Sequence, residues 1–130
     1  MKAMKKRLKA DERKAIILEA AKDLFSKKGF YGVSVDEIAE KSNVSASVIY
    51  KHFKSKEVLY ETTLNNAACR RDDYIQAVLS GPTDFQSVLY RMTLIYLEGV
   101  VVSPEAFRME LHSALDNNEV VKRFYSNHWK

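Results

Sequence analysis

The sequence predicts an all-α protein, with a front of short helices and longer helices behind. Three observations carry that expectation. Apolar residues recur at helical spacing in one segment after another, no segment shows convincing two-residue alternation, and residues that cap or stop helices punctuate the segments. At 130 residues the chain holds one domain, or one small domain with part of a second. Its hydrophobic content of 46% is ordinary for a globular protein, so a core can be buried.

Residues 1–10 read as a basic arm carrying Lys2, Lys5, Lys6, Arg7 and Lys9. Such an arm suits phosphates or a minor groove, and equally a solvated start. Asp11 or Glu12 opens the first helix, where acids meet the positive end of the dipole. Ile17, Ala20, Ala21, Leu24 and Phe25 form its apolar stripe, Lys27 and Lys28 fill the last turn, and Gly29 ends it. Phe30 and Tyr31 are read as packing residues under the helices rather than a stacking platform for bases.

Ser34 precedes Glu37 by three, the spacing of a reciprocal capping box. Val35, Ile38 and Ala39 share one face of the helix it opens, and Asn43 supplies the left-handed stop. Ser45 caps a third helix, from which Ile49 and Phe53 point inward. Ser47 and Lys51 project the other way, flanked by Val48, Tyr50 and Lys54. The two helices and their turn, residues 34–53, make a helix-turn-helix motif in a three-helix, homeodomain-like domain spanning 11–56.

Ser55 caps a connecting helix over 56–80, whose loose apolar face is Tyr60, Leu64, Ala67, Ala68, Tyr74, Ile75, Val78 and Leu79. Gly81-Pro82 ends it. Residues 81–130 then form a partial helical domain. Thr83 and Gln86 suggest a second capping box, opening a helix from Asp84 to about Val102 with Phe85, Val88, Leu89, Met92, Ile95, Tyr96 and Gly99 in register. Ser103-Pro104 starts the next helix, with Phe107, Leu111, Ala114 and Leu115 as its stripe. Asp116-Asn117-Asn118 breaks the pattern, and Val120, Val121, Phe124, Tyr125 and Trp129 begin a seventh helix.

Charge is uneven. Residues 1–56 carry 14 Lys and Arg against 7 Asp and Glu, a net +7; residues 57–130 carry 7 against 10, a net −3. A basic front suits a polyanion or a solvated lysine-rich face, and charge alone leaves both readings standing. The single cysteine, Cys69, forms no internal disulfide and fits a reducing cytoplasm. The charged N-terminus has no apolar stretch behind it, so no signal peptide is expected. The most apolar run, Leu94 to Val102, is broken by Glu98 and Gly99 and falls short of the about 20 residues a bilayer requires. The acids and core-like stripe of the first helix count against membrane-surface binding by the arm. Gly-rich phosphate loops, His-Glu-x-x-His, paired cysteine sites and Gly-x-Ser-x-Gly are all missing, and His112 and His128 lack metal-ligand spacing. No enzyme activity, metal or cofactor is expected.

The outer face of the third helix is small, polar and basic, a form that suits a major groove. Ser34, Ser45, Tyr50, His52 and Lys56 are placed to grip phosphates, the two serines at helix N-termini where backbone N–H groups also face anions. Ala46, Ser47, Val48 and Lys51 are candidates for base edges: Lys51 for guanine N7 or O6, Val48 for a thymine methyl. Each has a plainer reading. His52 also fits a neutral interior or surface histidine, and Tyr50 a packing residue.

Residues 12–64 also resemble a known family. The pattern runs Ile17, Ala20-Ala21, Leu24-Phe25, Gly29-Phe30, then Val35, Ile38-Ala39, Val44-Ser45, and above all Ile49-Tyr50-Lys51-His52-Phe53-Lys54-Ser55-Lys56-Glu57 with Leu59. This resembles the N-terminal domain of the tetracycline-repressor (TetR/AcrR) family of bacterial transcriptional regulators. The resemblance implies a homodimer that binds operator DNA as double-stranded helix, holds a small-molecule inducer behind, and releases DNA when the inducer binds. It maps Tyr50, His52 and Lys56 to phosphate contacts and Ala46 to Val48 to base reading. The chain departs from the family where Asn43 and Ser47 replace common glycines and Ala46 replaces a common basic residue, so specificity does not transfer. It also stops as its seventh helix begins, which implies an incomplete pocket and dimer interface.

The expected function is therefore a bacterial, cytoplasmic, ligand-responsive repressor, with Phe85, Leu89, Met92, Tyr96, Phe107 and Leu111 near the ligand. Plain core is the other reading of those six residues. The alternative function is a helical ligand-sensing or protein-interaction module without productive operator binding.

Overall fold

In the computed structural model, the backbone is described for residues 2–67 and 71–128 and the side chains for residues 9–66 and 73–127. Eight helices follow one another, with no strand among the described residues: α1 (Lys2–Lys28), α2 (Val35–Ser42), α3 (Ala46–His52), α4 (Lys56–Ala67), α5 (Arg71–Leu79), α6 (Phe85–Val102), α7 (Pro104–Leu115) and α8 (Glu119–His128). The connecting helix expected over 56–80 is thus described as α4 and α5. Expectations for Ala68, Cys69 and Trp129 lie outside the described residues, as do those for the side chains of Ala67 and His128.

α1 starts earlier than the sequence suggested. It begins at Lys2, with no acid in its first turn, so the arm is helical and neither Asp11 nor Glu12 opens the helix. Residues 2–10 contain Lys, Ala, Met, Arg and Leu and neither Gly nor Pro, so nothing in them stops a helix from propagating outward. At 27 residues, α1 is about 40 Å long.

The core gathers around the second half of α1. Ile17, Ala20, Ala21 and Phe25 are buried with Ile38 and Ala39 of α2, Ile49 of α3, Phe53, and Leu59, Tyr60 and Leu64 of α4. Phe30 and Val33, in the segment between α1 and α2, join the same cluster. So do Met109 of α7 and Val120, Val121 and Phe124 of α8. The Phe25 ring meets Tyr60 edge-on at 4.9 Å, and Phe30 meets Tyr60 the same way at 5.2 Å. Tyr31 corrects the packing expectation: it is 66% exposed and only rests its ring against Phe30 at 5.1 Å. Two ion-pair sets tie α1 to α2: Asp23 with Lys27 at 3.0 Å and with Lys41, and Lys28 with Glu37 at 3.5 Å.

Gly29 ends α1 in the left-handed region, φ 75°, and its N–H donates to Phe25 O at 2.9 Å. The missing side chain also matters to packing. A Cβ there would lie 2.8 Å from Asp116 Oδ2, at the C-terminal end of α7. α7 turns Met109 and Ser113 inward, so the predicted stripe of Leu111, Ala114 and Leu115 faces out, with Phe107 half-buried. Both stripes have helical spacing, and contact with α1 selects the one that packs.

α6 is capped by Asp84, whose carboxylate accepts from Ser87 N–H at 3.0 Å; the expected Thr83–Gln86 box does not form. An aspartate one residue later is the better acceptor at a positive helix end. Arg91 of α6 donates to Val78 O at 2.6 Å and to Pro82 O, fastening α6 to the end of α5. Among its described residues α6 buries none. Asn118 caps α8, its Oδ1 accepting from Val120 N–H at 2.8 Å, after Asn117 takes a left-handed φ of 53°.

Two predictions follow from these contacts. Gly29→Ala should lose about 1–2 kcal/mol from its left-handed backbone alone, whereas Gly99→Ala should gain about 0.5–1 kcal/mol, because its Cβ would enter open space inside a helix. Urea midpoints at unchanged slope measure both, and a neutral Gly29→Ala contradicts the packing described. The second concerns acid. Hydrogen bonds from Lys41 and then Lys27 hold the Asp23 carboxyl below its ordinary value. A lowered folded pKa gives stability that is present above the unfolded value of about 3.9 and lost as pH falls through the folded one. Asp23→Asn should therefore be less stable than wild type at neutral pH, with the gap closing below about pH 4. A gap that persists in acid would assign the loss to something other than the ion pairs.

Candidate nucleic-acid interface

Local hydrogen bonds build the motif from both ends. Ser34 is extended at φ −97°, ψ 155°, and its Oγ accepts from Glu37 N–H at 3.1 Å. The reciprocal half of the box is absent. The Glu37 carboxylate lies 3.5 Å from Lys28 Nζ, so the cation on α1 takes it in place of the Ser34 N–H. Asn43 is left-handed, φ 56°, ψ 43°, and its N–H donates to Glu40 O at 3.1 Å while Val44 N–H donates to Ala39 O at 3.0 Å. The chain thus reverses in three residues, as the sequence suggested.

Ser45 opens α3, its Oγ accepting from Val48 N–H at 3.3 Å. Ile49 anchors the inner face at 1% exposure. Phe53 is buried as well, but from outside the helix. It is the C-cap residue, extended at φ −134°, ψ 124°, with its N–H donating to Ile49 O at 2.9 Å. On the outer side Ser47, Tyr50, Lys51 and Lys54 are exposed, Ala46 and Val48 half-buried. His52 is half-buried, its ring 6.3 Å from Phe53. Ser55 Oγ then accepts from Val58 N–H at 3.2 Å, and α4 begins at Lys56.

An open cavity of about 550 Å³ lies beside the start of α2. The segment from Tyr31 to Glu37 lines it, together with Tyr50 of α3 and Lys56 of α4. Three residues singled out from the sequence, Ser34, Tyr50 and Lys56, are therefore brought onto one surface. Ser45, Ala46, Ser47, Val48, Lys51 and His52 lie on or at the end of the adjoining helix and outside that cavity. Gly32 lets the lining segment pass close to α1, since a Cβ there would lie 2.3 Å from Lys28 O. Lys56 Nζ sits 4.3 Å from the centroid of the Phe30 ring. Burial pushes its ammonium pKa down, and the charges of Glu57 and Glu37 oppose that shift.

Sequence reasoning missed Tyr31, Asp36 and Glu37 as lining residues. Tyr31 follows the helix stop at Gly29, where no periodicity says which way a side chain turns. The two acids gave a usable signal, because the first turn of a helix starting at Ser34 must carry them beside its cap.

The six residues expected near a ligand form no core. Phe85 is 81% exposed, and Leu89, Met92, Tyr96 and Leu111 are also exposed. Phe107 is half-buried, with the Tyr96 ring edge-on to it at 5.4 Å. The plain-core reading of these residues is thus corrected: they make an open apolar face on α6 and α7.

Residues 17–63 match the family model of bacterial regulatory proteins of the tetR family. The HTH-type transcriptional activator FasR of Mycolicibacterium smegmatis is 29% identical over 103 residues, which cover 79% of this chain and 47% of FasR. The HTH-type transcriptional regulator EthR of the same organism is 31% identical over 117 residues, covering 89% of this chain and 54% of EthR. The chain thus spans about half the length of these curated relatives. A HlyIIR mutant crystal structure superposes with a TM-score of 0.74 at 19% identity, over 89% of this chain and 65% of that one, and shares the fold. Residues 17–63 thus carry a domain of the kind found in the bacterial regulatory proteins of the tetR family.

Proposed function

We propose that the chain is a sequence-specific DNA-binding transcriptional regulator, a ligand-responsive repressor that binds its operator as a homodimer in the bacterial cytoplasm. The observation that carries this reading is the convergence of Ser34, Tyr50 and Lys56 on one open cavity beside α2, next to the exposed Ser47 and Lys51 of α3. Hydroxyls, a helix N-terminus and an ammonium together suit a phosphate, and the adjoining helix then enters the major groove. Ser34, Ser45, Tyr50, His52 and Lys56 grip the backbone. Ala46, Ser47, Val48 and Lys51 read base edges. Glu37, on the cavity wall, has the Lys28 ammonium 3.5 Å away, which offsets part of its repulsion of an anion.

In a dimer, two copies of α3 would enter successive major grooves with half-sites about 34–36 Å apart or a multiple of that. The inducer is a small molecule held against the apolar face of Phe85, Leu89, Met92, Tyr96, Phe107 and Leu111. It acts through the region of α4 and α5 to change the spacing of the two recognition helices. Among the relatives FasR is named an activator, so the repressor assignment rests on the wider family resemblance.

Selection of binding sites from a random duplex pool tests the whole reading. An enriched site is expected, and enrichment of none favours the module without productive operator binding. On that site Lys51→Ala should cost about 1–3 kcal/mol, roughly 5- to 150-fold in affinity, with little loss on mixed-sequence DNA. Equal losses on both would remove Lys51 from base reading. Lys56→Ala should weaken both duplexes alike and reduce the slope of log K against log salt by about 0.9, one phosphate's share. A slope left unchanged would remove Lys56 from the phosphate grip. Light scattering should count two chains on each selected duplex; one chain per duplex overturns the dimer.

A further inference from the structure

Lys56 combines two demands that conflict. A phosphate grip needs an ammonium held in place, and lysine carries its charge on a flexible stem of four methylenes. A carboxylate would hold it, but would also cancel the charge that the phosphate needs. Among the described residues no carboxylate lies within ion-pair distance of Lys56 Nζ; Glu57 and Glu37 act on it only from farther away. What lies against it is a ring. The Phe30 centroid is 4.3 Å from Nζ, well inside the roughly 6 Å over which an aromatic face attracts a cation.

Phe30 is itself held firmly. Phe25 stacks with it at 6.4 Å and 18°, and Tyr60 and Tyr31 meet it edge-on at 5.2 Å and 5.1 Å. The ring is 7% exposed and cannot swing away with its cation. A ring quadrupole attracts the ammonium without neutralising it and offers no acceptor to compete with a phosphate.

We propose that Phe30 is a positioning residue for the phosphate grip, its ring face seating the Lys56 ammonium in the cavity wall so that the charge stays unpaired beside Ser34 and Tyr50. The proposal rests on the DNA-binding reading above. It adds a role for a residue that touches no DNA and otherwise reads as core.

The test uses the full chain and a labelled duplex of mixed sequence, titrated across salt concentrations. Phe30→Leu keeps an apolar filler but removes the ring face. It should lower the salt slope by about 0.9, as Lys56→Ala does. Phe30→Tyr, which keeps the face, should restore the wild-type slope. The double variant Phe30→Leu, Lys56→Ala should show no second drop. A folded Phe30→Leu with the wild-type slope, or a second full drop in the double variant, overturns the proposal, since lost packing alone does not change the number of phosphates neutralised. Proton NMR of the wild-type chain supplies the arm that no unfolded variant can spoil. The Lys56 δ and ε methylene protons should be shifted upfield by the ring current, and ordinary shifts there overturn the seat directly. Should the wild-type chain bind DNA with no salt dependence, the DNA reading fails and this role with it, whereas intact upfield shifts beside a failed Phe30→Leu slope test sink the positioning role alone.

Discussion

Three rings hold the molecule together. Phe25 near the end of α1, Phe30 in the following segment and Tyr60 of α4 lie with centroids 4.9–6.4 Å apart. Edge-to-face contacts of this kind add about 0.5–1.5 kcal/mol each beyond the area they bury. Position matters more than that increment. Phe25 brings the helix on which α2, α4 and α7 all pack, Phe30 the segment that lines the cavity, and Tyr60 the helix that begins with Lys56. Burial pushes the Tyr60 hydroxyl up to about 12. The hydroxyl lies near Ser113 of α7 without a formed hydrogen bond, and Ser113 itself donates to Glu110 O at 2.5 Å.

That junction joins the front of the chain to part of its back. Met109 of α7 and Val120, Val121 and Phe124 of α8 belong to the same buried cluster as the residues around α2 and α3. The C-terminal end of α7 abuts Gly29, the residue from which the 30–34 segment departs. α5 and α6 stand apart from this cluster, α6 resting on α5 and α7 with its apolar face open. The division that matters physically falls between the α1–α4, α7, α8 core and the α5–α6 pair.

The caps of the motif were legible because they are local. Ser34 to Glu37 N–H, Asn43 to Glu40 O and Ser45 to Val48 N–H each close within three residues, and no distant partner is needed to decide them. The inner stripes of α1, α2 and α3 were legible for a similar reason, since each has one apolar face and no rival. Misreadings gathered where a distant partner decides. Glu37 turns to Lys28 on another helix. α7 has two faces of helical period, and α1 selects Met109 and Ser113 over Leu111 and Leu115. Tyr31 sits beyond a helix stop, where periodicity has nothing to say. The start of α1 went astray because the acids at positions 11 and 12 suggested a cap that an uninterrupted run of helix formers does not require.

Charge shows the same division between composition and placement. The surplus of the first 56 residues fitted a polyanion site and a solvated surface equally well. Ion pairing sorts those lysines. Lys22 pairs with Glu19, Lys27 and Lys41 share Asp23, and Lys28 takes Glu37, so these four lysines stand beside three carboxylates. Lys51, Lys54 and Lys56 have no carboxylate partner within ion-pair distance among the described residues. Lys14 likewise has none, and lies 5.8 Å from the Phe53 ring at the end of α3. Among the lysines from 22 to 56, those around the α1–α2 contact are therefore ion-paired, and those on and after α3 are not. Two of the unpaired lysines, Lys14 and Lys56, lie instead against aromatic rings, which attract an ammonium without cancelling its charge.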